Sequence, residues 1–278
     1  MFKKKKKELE GDDLLFQIRR DAIDMAAKAG EIQMDYFRTG NVSIDTKSNV
    51  YDVVTQVDKK CEELLINEIS KRYPDHSILG EETGLHQKES DWEWVIDPLD
   101  GTNNYSQGLP VFCVSIGVTY KGETQVGVIY TPYLDELYTA VKGHGATTQM
   151  GLCMGELLPP EPLHVGQKEN LGECVVATGF PYDKKTNPAN NIKTAMSIIP
   201  DVRGIRRMGA AAYDLVSVAL GSIDAYWELN LKPWDACAGS LIVQEAGGIV
   251  IPIRDDRNIS ILAGNEKIVE VMKKYIFE

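Results

Sequence analysis

Two aspartates, three residues apart, follow an apolar run that is typical of a strand. The segment reads Trp94-Val-Ile-Asp97-Pro98-Leu99-Asp100-Gly101-Thr102. Because proline fixes φ at about −65° and glycine permits a tight turn, both carboxylates and the Leu99 carbonyl can point toward one place. Hard divalent cations prefer oxygen ligands of this kind on a stiff loop. The alternative is an Asx-type turn that ends the strand, and this segment alone does not decide between them.

Two further segments place carboxylates where they could join this pair. The run Leu79-Gly80-Glu81-Glu82-Thr83-Gly84 ends on adjacent acids, and Lys232-Pro233-Trp234-Asp235 puts an aspartate into the first turn of a helix of small residues. Helix capping is the alternative for Asp235, although a capping carboxylate can still point outward to a metal. Together the three segments favour a cation site.

The elements that must position these acids follow from hydrophobic spacing. Apolar residues recur at helical intervals over 12–37, and a second helix begins at Thr55 or Asp58 and ends before Pro74. Short apolar runs predict strands at 77–80, 92–96, 112–120, 125–130 and 137–141, with a hairpin turn at 121–123. After residue 174, strands and helices alternate up to a closing helix over 266–276.

This order of elements predicts a layered α/β arrangement with two sheets. A length of 278 residues suits one large domain or two packed halves. We expect a basic flexible tail over 1–11 and one fold over 12–278, built from tightly packed halves at about 12–150 and 162–278. The stretch 150–161 is rich in Gly, Pro and Met and predicts a surface loop.

The composition argues against several classes of protein. The net charge of −11 makes binding to nucleic acid through the whole surface unexpected. Mean hydropathy is −0.23, and no apolar run is long enough to predict a transmembrane helix or a secretory signal peptide. The five cysteines are odd in number and widely spaced, which predicts reduced thiols in a cytoplasmic protein. The lysine run Lys3 to Lys7 favours a solvated tail over a membrane tether, for which no second signal exists.

Four segments, taken in order, resemble the inositol monophosphatase family: VTQVDKKCEELL, GEETG, WVIDPLDGTNNY and WDACAGSLIVQEAGG. The third and fourth resemble the two signatures of the family, and the resemblance extends from about Asp12 to the last helix. It implies an αβαβα sandwich, as in inositol monophosphatase and fructose-1,6-bisphosphatase. It also implies a Mg²⁺-dependent, lithium-sensitive phosphomonoesterase that forms a homodimer.

The resemblance assigns metal ligands position by position. It implies that Glu81, Asp97 and the Leu99 carbonyl hold one Mg²⁺, and that Asp97, Asp100 and Asp235 hold a second. A third, more weakly held Mg²⁺ would contact Glu81, which is therefore counted among the catalytic residues. The expected content is two to three Mg²⁺ in each active site.

Further positions match the residues of the family that surround these ions. Thr102 and Asp58 resemble the pair that orients and helps to deprotonate the attacking water. Lys47 matches a lysine on a mobile loop near the third ion. Glu82 is expected to support the ligands without contacting metal.

The remaining matches concern the substrate. The backbone amides of Gly101 and Thr102 are expected to contact phosphate oxygens. The resemblance implies that Glu228 binds substrate hydroxyls, and that the polyol or sugar site also involves Asp235 and the segment Gly209, Ala210 and Ala211.

The leading hypothesis is hydrolysis of a small phosphate monoester, inositol monophosphate above all, by direct attack of water. Alternative substrates on the same scaffold are fructose 1,6-bisphosphate, histidinol phosphate, nucleotide 3′-phosphates and NADP. Arg203, Arg206 and Arg207 keep the bisphosphate alternative open, because arginines can bind a second phosphate. A regulatory or binding protein that engages RNA-associated machinery or a membrane is the alternative from another class.

Overall fold

The structure is a computed structural model that describes residues 11–40, 42–47, 53–153 and 155–277. The lysine run Lys3 to Lys7 lies outside these ranges. The helices in the described residues are α1 (Asp12–Tyr36), α2 (Gln56–Arg72), α3 (Thr102–Ser106), α4 (Ile192–Ile198), α5 (Ala211–Ala219), α6 (Pro233–Glu245) and α7 (Glu266–Ile276). The strands are β1 (Ile44–Thr46), β2 (Val53–Thr55), β3 (Ser77–Gly80), β4 (Gly84–His86), β5 (Trp92–Asp100), β6 (Cys113–Tyr120), β7 (Glu123–Thr131), β8 (Glu136–Val141), β9 (Ala146–Met150), β10 (Glu161–Pro162), β11 (Val175–Thr178), β12 (Gly204–Arg206), β13 (Ala225–Leu231), β14 (Ile249–Pro252) and β15 (Ile259–Gly264).

Eight strands form the larger sheet, in the order β10-β9-β8-β7-β6-β5-β3-β4. Its neighbouring strands are antiparallel except for β3 and β5, which run parallel. Helices α1 and α2 pack on one face. Their apolar sides meet alternate residues of the central strands, such as Val126 and Val128 of β7, in one buried cluster.

Five strands form the second sheet, in the order β12-β11-β13-β15-β14. Strand β11 is parallel to both β12 and β13, whereas β15 is antiparallel to β13 and β14. Helices α5 and α6 pack against each other between the two sheets, while α7 lies against β15 on the other side and contacts α4. The layers are therefore helix, sheet, helix, sheet and helix, which confirms the predicted αβαβα sandwich.

Helix α6 lies very close to the larger sheet because two paired glycines make room for it. Gly117 of β6 is opposite Gly127 of β7. A Cβ on Gly127 would lie 2.8 Å from the backbone oxygen of Ala238, and one on Gly117 would lie 2.4 Å from the sulfur of Cys237. Any larger side chain would push the helix, and with it Asp235, away from the sheet.

Two details of the larger sheet differ from the sequence-based expectation. Strand β5 was expected to end at residue 96, but it continues to Asp100 through an irregularity in its pairing with β6 between Asp97 and Asp100. A β-bulge accommodates Pro98, which could not donate a hydrogen bond in a regular strand. Three short strands of this sheet, β4, β9 and β10, were not predicted, and β10 begins at the end of the stretch 150–161 that was expected to be a loop. Within the described ranges, every helix is too short or too polar to cross a membrane.

Candidate active site

A cavity of about 250 Å³ opens where the ends of β5 and β13 meet the first turns of α3, α5 and α6. It brings together all the predicted site residues except two. The predicted residues that line it are Lys47, Glu81, Asp97, Leu99, Asp100, Gly101, Thr102, Gly209, Ala210, Ala211, Glu228 and Asp235. The two exceptions, Asp58 and Glu82, lie behind it and contact Thr102 and Lys47.

The bulge in β5 fixes the first pair of aspartates. The backbone N–H of Leu99 donates to Asp97 Oδ1 at 3.0 Å. Buried Gln33 of α1 donates its side-chain amide to the Pro98 carbonyl at 2.8 Å. Asp97 and Asp100 are almost fully buried, so the strand end is held rigidly with both carboxylates at the cavity wall.

Helix N-termini hold the carboxylates of Asp100 and Asp235. The N–H of Ala212, in the first turn of α5, donates to Asp100 Oδ2 at 2.7 Å. The N–H of Lys232 donates to Asp235 Oδ2 at 2.7 Å, which is a capping contact at the start of α6. Asp235 therefore caps its helix and lines the cavity at the same time, so the two interpretations of this residue are compatible.

Lys47 contacts both acids of the Glu81–Glu82 segment. Its ammonium lies 2.7 Å from Glu81 Oε1 and also donates to Glu82. Glu62 of α2 supports the same segment from below, accepting hydrogen bonds from the backbone N–H groups of Glu82 and Thr83 at 2.9 and 2.7 Å. The role of Glu62 could not be predicted from the sequence, where it is one acid among the residues of an amphipathic helix.

Burial and mutual repulsion dominate the electrostatics of the acids. Burial raises the pKa of Glu81 to about 7 and that of Asp100 to about 6. The pKa values of Asp97 and Asp235 also rise, first through burial and then through the neighbouring carboxylates. Burial alone would lower the pKa of Lys47, but Glu81 and Glu82 raise it, so the ammonium stays charged.

No group of three or more His, Cys, Asp or Glu side chains in the described ranges is already arranged to hold a metal ion. The cavity instead concentrates four acids, of which Asp97 and Asp100 are buried, and Lys47 is the cation that contacts Glu81. Because burial and neighbouring carboxylates disfavour their charged forms, added positive charge stabilises these carboxylates. The donor set of carboxylates and one backbone carbonyl matches the oxygen ligands that Mg²⁺ prefers.

Thr102 begins α3 and contacts a buried carboxylate. Its hydroxyl donates to Asp58 Oδ1 at 2.8 Å and lies 3.0 Å from the Leu99 carbonyl. The other carboxylate oxygen of Asp58 accepts from the backbone N–H and the hydroxyl of Thr55, at 2.9 and 2.6 Å. Burial raises the pKa of Asp58, while the hydroxyls of Thr55 and Thr102 oppose the rise. The expected pairing of Thr102 with Asp58 is therefore present in the structure.

The far side of the cavity is made by the second sheet. Glu228 of β13 is joined there by residues 179–182 and 229–232. Apart from Lys232, these residues could not be predicted from the sequence, because neither segment carries a spacing or charge pattern of its own. Burial raises the pKa of Glu228 to about 7, against the effects of Tyr226 and Arg207.

The three arginines proposed for a second phosphate do not act together. Arg207 lines the cavity, whereas Arg203 and Arg206 are absent from its wall. Arg206 is exposed and donates to the Ile205 carbonyl at 3.1 Å. The cavity thus contains one arginine of the three, which weakens the argument for a bisphosphate.

The model of the inositol monophosphatase family matches residues 15–276. The chain belongs to this family. Membership confirms the resemblance of the sequence motifs and establishes a phosphatase-family fold, in a family that generally depends on metal and acts on small phosphorylated molecules.

Known relatives carry two kinds of name. The chain is 45% identical over 231 residues to the Nus factor SuhB of Pasteurella multocida, covering 82% of each chain. It is 41% identical over 208 residues to the inositol-1-monophosphatase of Synechocystis sp., covering 74% of this chain and 69% of the relative. Its fold matches an inositol monophosphatase structure from Anabaena with a TM-score of 0.80 and 35% identity, covering 95% and 96% of the two chains.

Proposed function

We propose that this protein is a Mg²⁺-dependent phosphomonoesterase whose substrate is a small polyol or sugar phosphate, inositol monophosphate above all. The observation that carries the proposal is the convergence of Glu81, Asp97, Asp100 and Asp235 on one cavity that Thr102 also lines. A relative that is 41% identical bears the name inositol-1-monophosphatase. Lithium sensitivity is part of the same proposal.

The residues present fit two to three Mg²⁺. Glu81, Asp97, the Leu99 carbonyl, Asp100 and Asp235 would hold them, and buried acids whose pKa values are raised by one another favour this use. The chemistry that Mg²⁺ supplies when bound is Lewis acidity, which offsets the charge of a phosphate dianion and lowers the pKa of the attacking water. Because Lys47 contacts Glu81 Oε1, a cation that binds Glu81 would use Oε2 or replace the ammonium at Oε1.

The chain itself orients the nucleophile through Thr102. With its hydroxyl proton directed to Asp58 Oδ1, 2.8 Å away, Thr102 presents lone pairs that can accept a hydrogen bond from water. As the water attacks phosphorus in line, the bond from phosphorus to the ester oxygen breaks, and the departing alkoxide takes a proton from solvent. The proton of the attacking water passes to Thr102, and the proton of Thr102 passes to Asp58. Thr55 holds Asp58 in place during this transfer. No phosphoenzyme is required.

The substrate groups have separate contacts in this proposal. The backbone amides of Gly101 and Thr102, at the start of α3, bind phosphate oxygens. Glu228 accepts hydrogen bonds from hydroxyls of the polyol, opposite Gly209, Ala210 and Ala211 in the same cavity. Asp235 is near both groups because it lines the wall at the first turn of α6.

A substrate screen separates the alternatives. We expect the highest kcat/KM for inositol 1-phosphate when it is assayed beside fructose 1,6-bisphosphate, histidinol phosphate, a nucleotide 3′-phosphate and NADP⁺. Arg207 is the one observation that favours a bisphosphate. Preference for fructose 1,6-bisphosphate would assign this arginine to a second phosphate and replace the leading proposal.

The metal assignment predicts the behaviour of Asp97→Asn. The substitution removes a charge shared by two proposed ions, so phosphate release should fall by at least about 100-fold. Mg²⁺ should raise the melting temperature of the wild type but not of the variant. Asp91→Asn, on the exposed surface, is the matched control. Phosphatase activity that survives in Asp97→Asn would show that the ligand assignment is wrong.

We also propose a homodimer in the cytoplasm. Helix α4 exposes Ile192 and Met196, and Ile199 follows its last residue on the same side; the three are 42%, 68% and 57% exposed. Such a face on a helix supports contact with a second copy of the chain. All five cysteines are unpaired, which is typical of proteins in a reducing compartment.

A second candidate function is the one that the name Nus factor SuhB implies, since the relative with this name is 45% identical. This protein would then act as a binding protein for RNA-associated machinery, with or without catalysis. Filter binding of RNA to the full chain and to a variant lacking Lys3 to Lys7 tests the candidate. Equal, weak retention of RNA by both would argue against direct RNA binding, and anionic liposomes in the same assay test the membrane tether that we do not expect.

A further inference from the structure

Glu228 is the one acid of the cavity wall that stands on the second sheet, and a buried tyrosine fixes its carboxylate. Tyr226 lies two residues earlier in β13, so both side chains point to the same face of the strand. The Tyr226 hydroxyl, which is inaccessible to solvent, donates to Glu228 Oε2 at 2.6 Å.

Gly179 leaves room for the Glu228 carboxylate because it has no side chain. It follows β11, the parallel neighbour of β13, in which Thr178 pairs with Trp227. A Cβ on Gly179 would lie 2.0 Å from Glu228 Oε2 and 2.2 Å from Oε1. The carboxylate therefore lies flat against the glycine backbone, and no other residue type leaves it this position.

These two contacts leave the carboxylate with one orientation. Oε2 is occupied by the phenol, while Oε1 keeps its capacity to accept a hydrogen bond from a group in the cavity. An ionised carboxylate accepts hydrogen bonds and does not donate them. It therefore stabilises a substrate with a hydroxyl at this place, but not a substrate whose leaving group is an aromatic ring without a hydroxyl.

We infer that Tyr226 and Gly179 are positioning residues that make the enzyme selective for phosphate esters whose alcohol part carries a further hydroxyl. They act by holding Glu228 Oε1 as a fixed acceptor. This inference rests on the proposed phosphatase function and adds to it the origin of the substrate preference.

The test compares two substrates on Tyr226→Phe, which removes only the hydroxyl. The measured quantity is kcat/KM for inositol 1-phosphate divided by kcat/KM for p-nitrophenyl phosphate, which has no hydroxyl beside its ester. Because a hydrogen bond to a charged group contributes about 1.5–3 kcal/mol, we expect the ratio to fall about tenfold or more. The fall should come mainly from KM for inositol 1-phosphate. Gly179→Ala should lower the ratio in the same direction by displacing the carboxylate.

The chain offers a closely matched control in Tyr138→Phe. Tyr138 is buried in β8, and its hydroxyl donates to Glu136 Oε2 at 2.6 Å, again across two residues of one strand. This pair lies outside the cavity. Tyr138→Phe should lower the melting temperature as much as Tyr226→Phe does, while the substrate ratio stays at the wild-type value.

The possible results distinguish the two proposals. An unchanged ratio in Tyr226→Phe, or an equal loss on both substrates, overturns the positioning role and leaves the phosphatase intact. If the wild type hydrolyses neither substrate, the proposed function fails. Titration calorimetry can then compare the binding of ligands to the wild type and to Tyr226→Phe without turnover. In that case Tyr226→Phe should weaken binding of inositol 1-phosphate about tenfold relative to inorganic phosphate, and equal binding by variant and wild type overturns the inference.

Discussion

At the residue scale, the acidic segments of the site are held by hydrogen bonds from side chains that are distant in sequence. The carboxylates themselves could be predicted, because each follows an apolar run or begins a helix. Their supports could not, since Gln33 contacts Pro98 across 65 residues and Glu62 contacts the N–H of Glu82 across 20. Those partners are ordinary polar residues of amphipathic helices, and only the packing of α1 and α2 on the sheet gives them a role.

Thr102 provides the sharpest test at this scale. Thr102→Val keeps the shape of the side chain but removes the hydroxyl that donates to Asp58. We expect kcat to fall by about 100-fold with little change in KM, because the hydroxyl is proposed to act on water and not on the substrate. Steady-state kinetics with inositol 1-phosphate measures both constants.

Thr102→Ser is the control, since it restores a hydroxyl at the same place. It should retain most of the wild-type kcat. If the valine and serine variants lose activity equally, the methyl group and not the hydroxyl matters, and the proposed proton path through Asp58 is wrong.

At the scale of elements, strong periodicity made the boundaries predictable. The closing helix was expected over 266–276 and begins and ends at those residues. The sequence predicts too early an end for β5, because the apolar run stops at residue 96, whereas a bulge carries the strand past Pro98 to Asp100. Strand β4 is too short for any alternation to be recognised. The close contact of α6 with the sheet could not be predicted either. The glycines at 117 and 127 lie side by side only when β6 and β7 pair, and the sequence does not show that α6 packs on them.

Gly127→Ala tests whether this close contact positions Asp235. The new methyl group would meet the backbone oxygen of Ala238 at 2.8 Å, so the helix must move. Overpacking of this kind lowers the free energy of unfolding by about 1–3 kcal/mol. We also expect the Mg²⁺ concentration for half-maximal activity to rise, because α6 carries Asp235. Urea unfolding and a Mg²⁺ titration measure the two effects.

Gly172→Ala is the comparison variant, since its nearest contact would be 3.4 Å from the Asn170 side chain. It should change stability by less than about 0.5 kcal/mol and leave the Mg²⁺ requirement unaltered. Loss of stability in Gly127→Ala without any change in the Mg²⁺ titration would separate the packing of α6 from the metal site.

At the scale of the whole molecule, the order of elements predicts the layered architecture, but it does not predict which apolar side chains remain on the surface. Helices before an antiparallel sheet, and alternation afterwards, predict two sheets with helices around them. Which helix face stays exposed depends on how the layers stack. Helix α4 contacts α7, and its outer face remains apolar and open.

Met196→Glu tests the proposed homodimer. A charge in the centre of the exposed face of α4 should shift the protein from dimer to monomer in sedimentation at micromolar concentration, because burying an unpaired carboxylate is costly. Leu85→Glu, at a site that is 52% exposed on β4, is the control and should leave the dimer intact. A wild type that sediments only as a monomer would contradict the proposal directly.

The short outer strands of the larger sheet bear on how copies of this protein can meet. One edge is the two-residue β10, which contains Pro162, and the other is the three-residue β4. Short edge strands, and proline at an edge, offer little template for another chain to extend the sheet. Association through the larger sheet is therefore discouraged at both of its ends. A concentrated solution of this protein should therefore resist growth into β-rich fibres through this sheet.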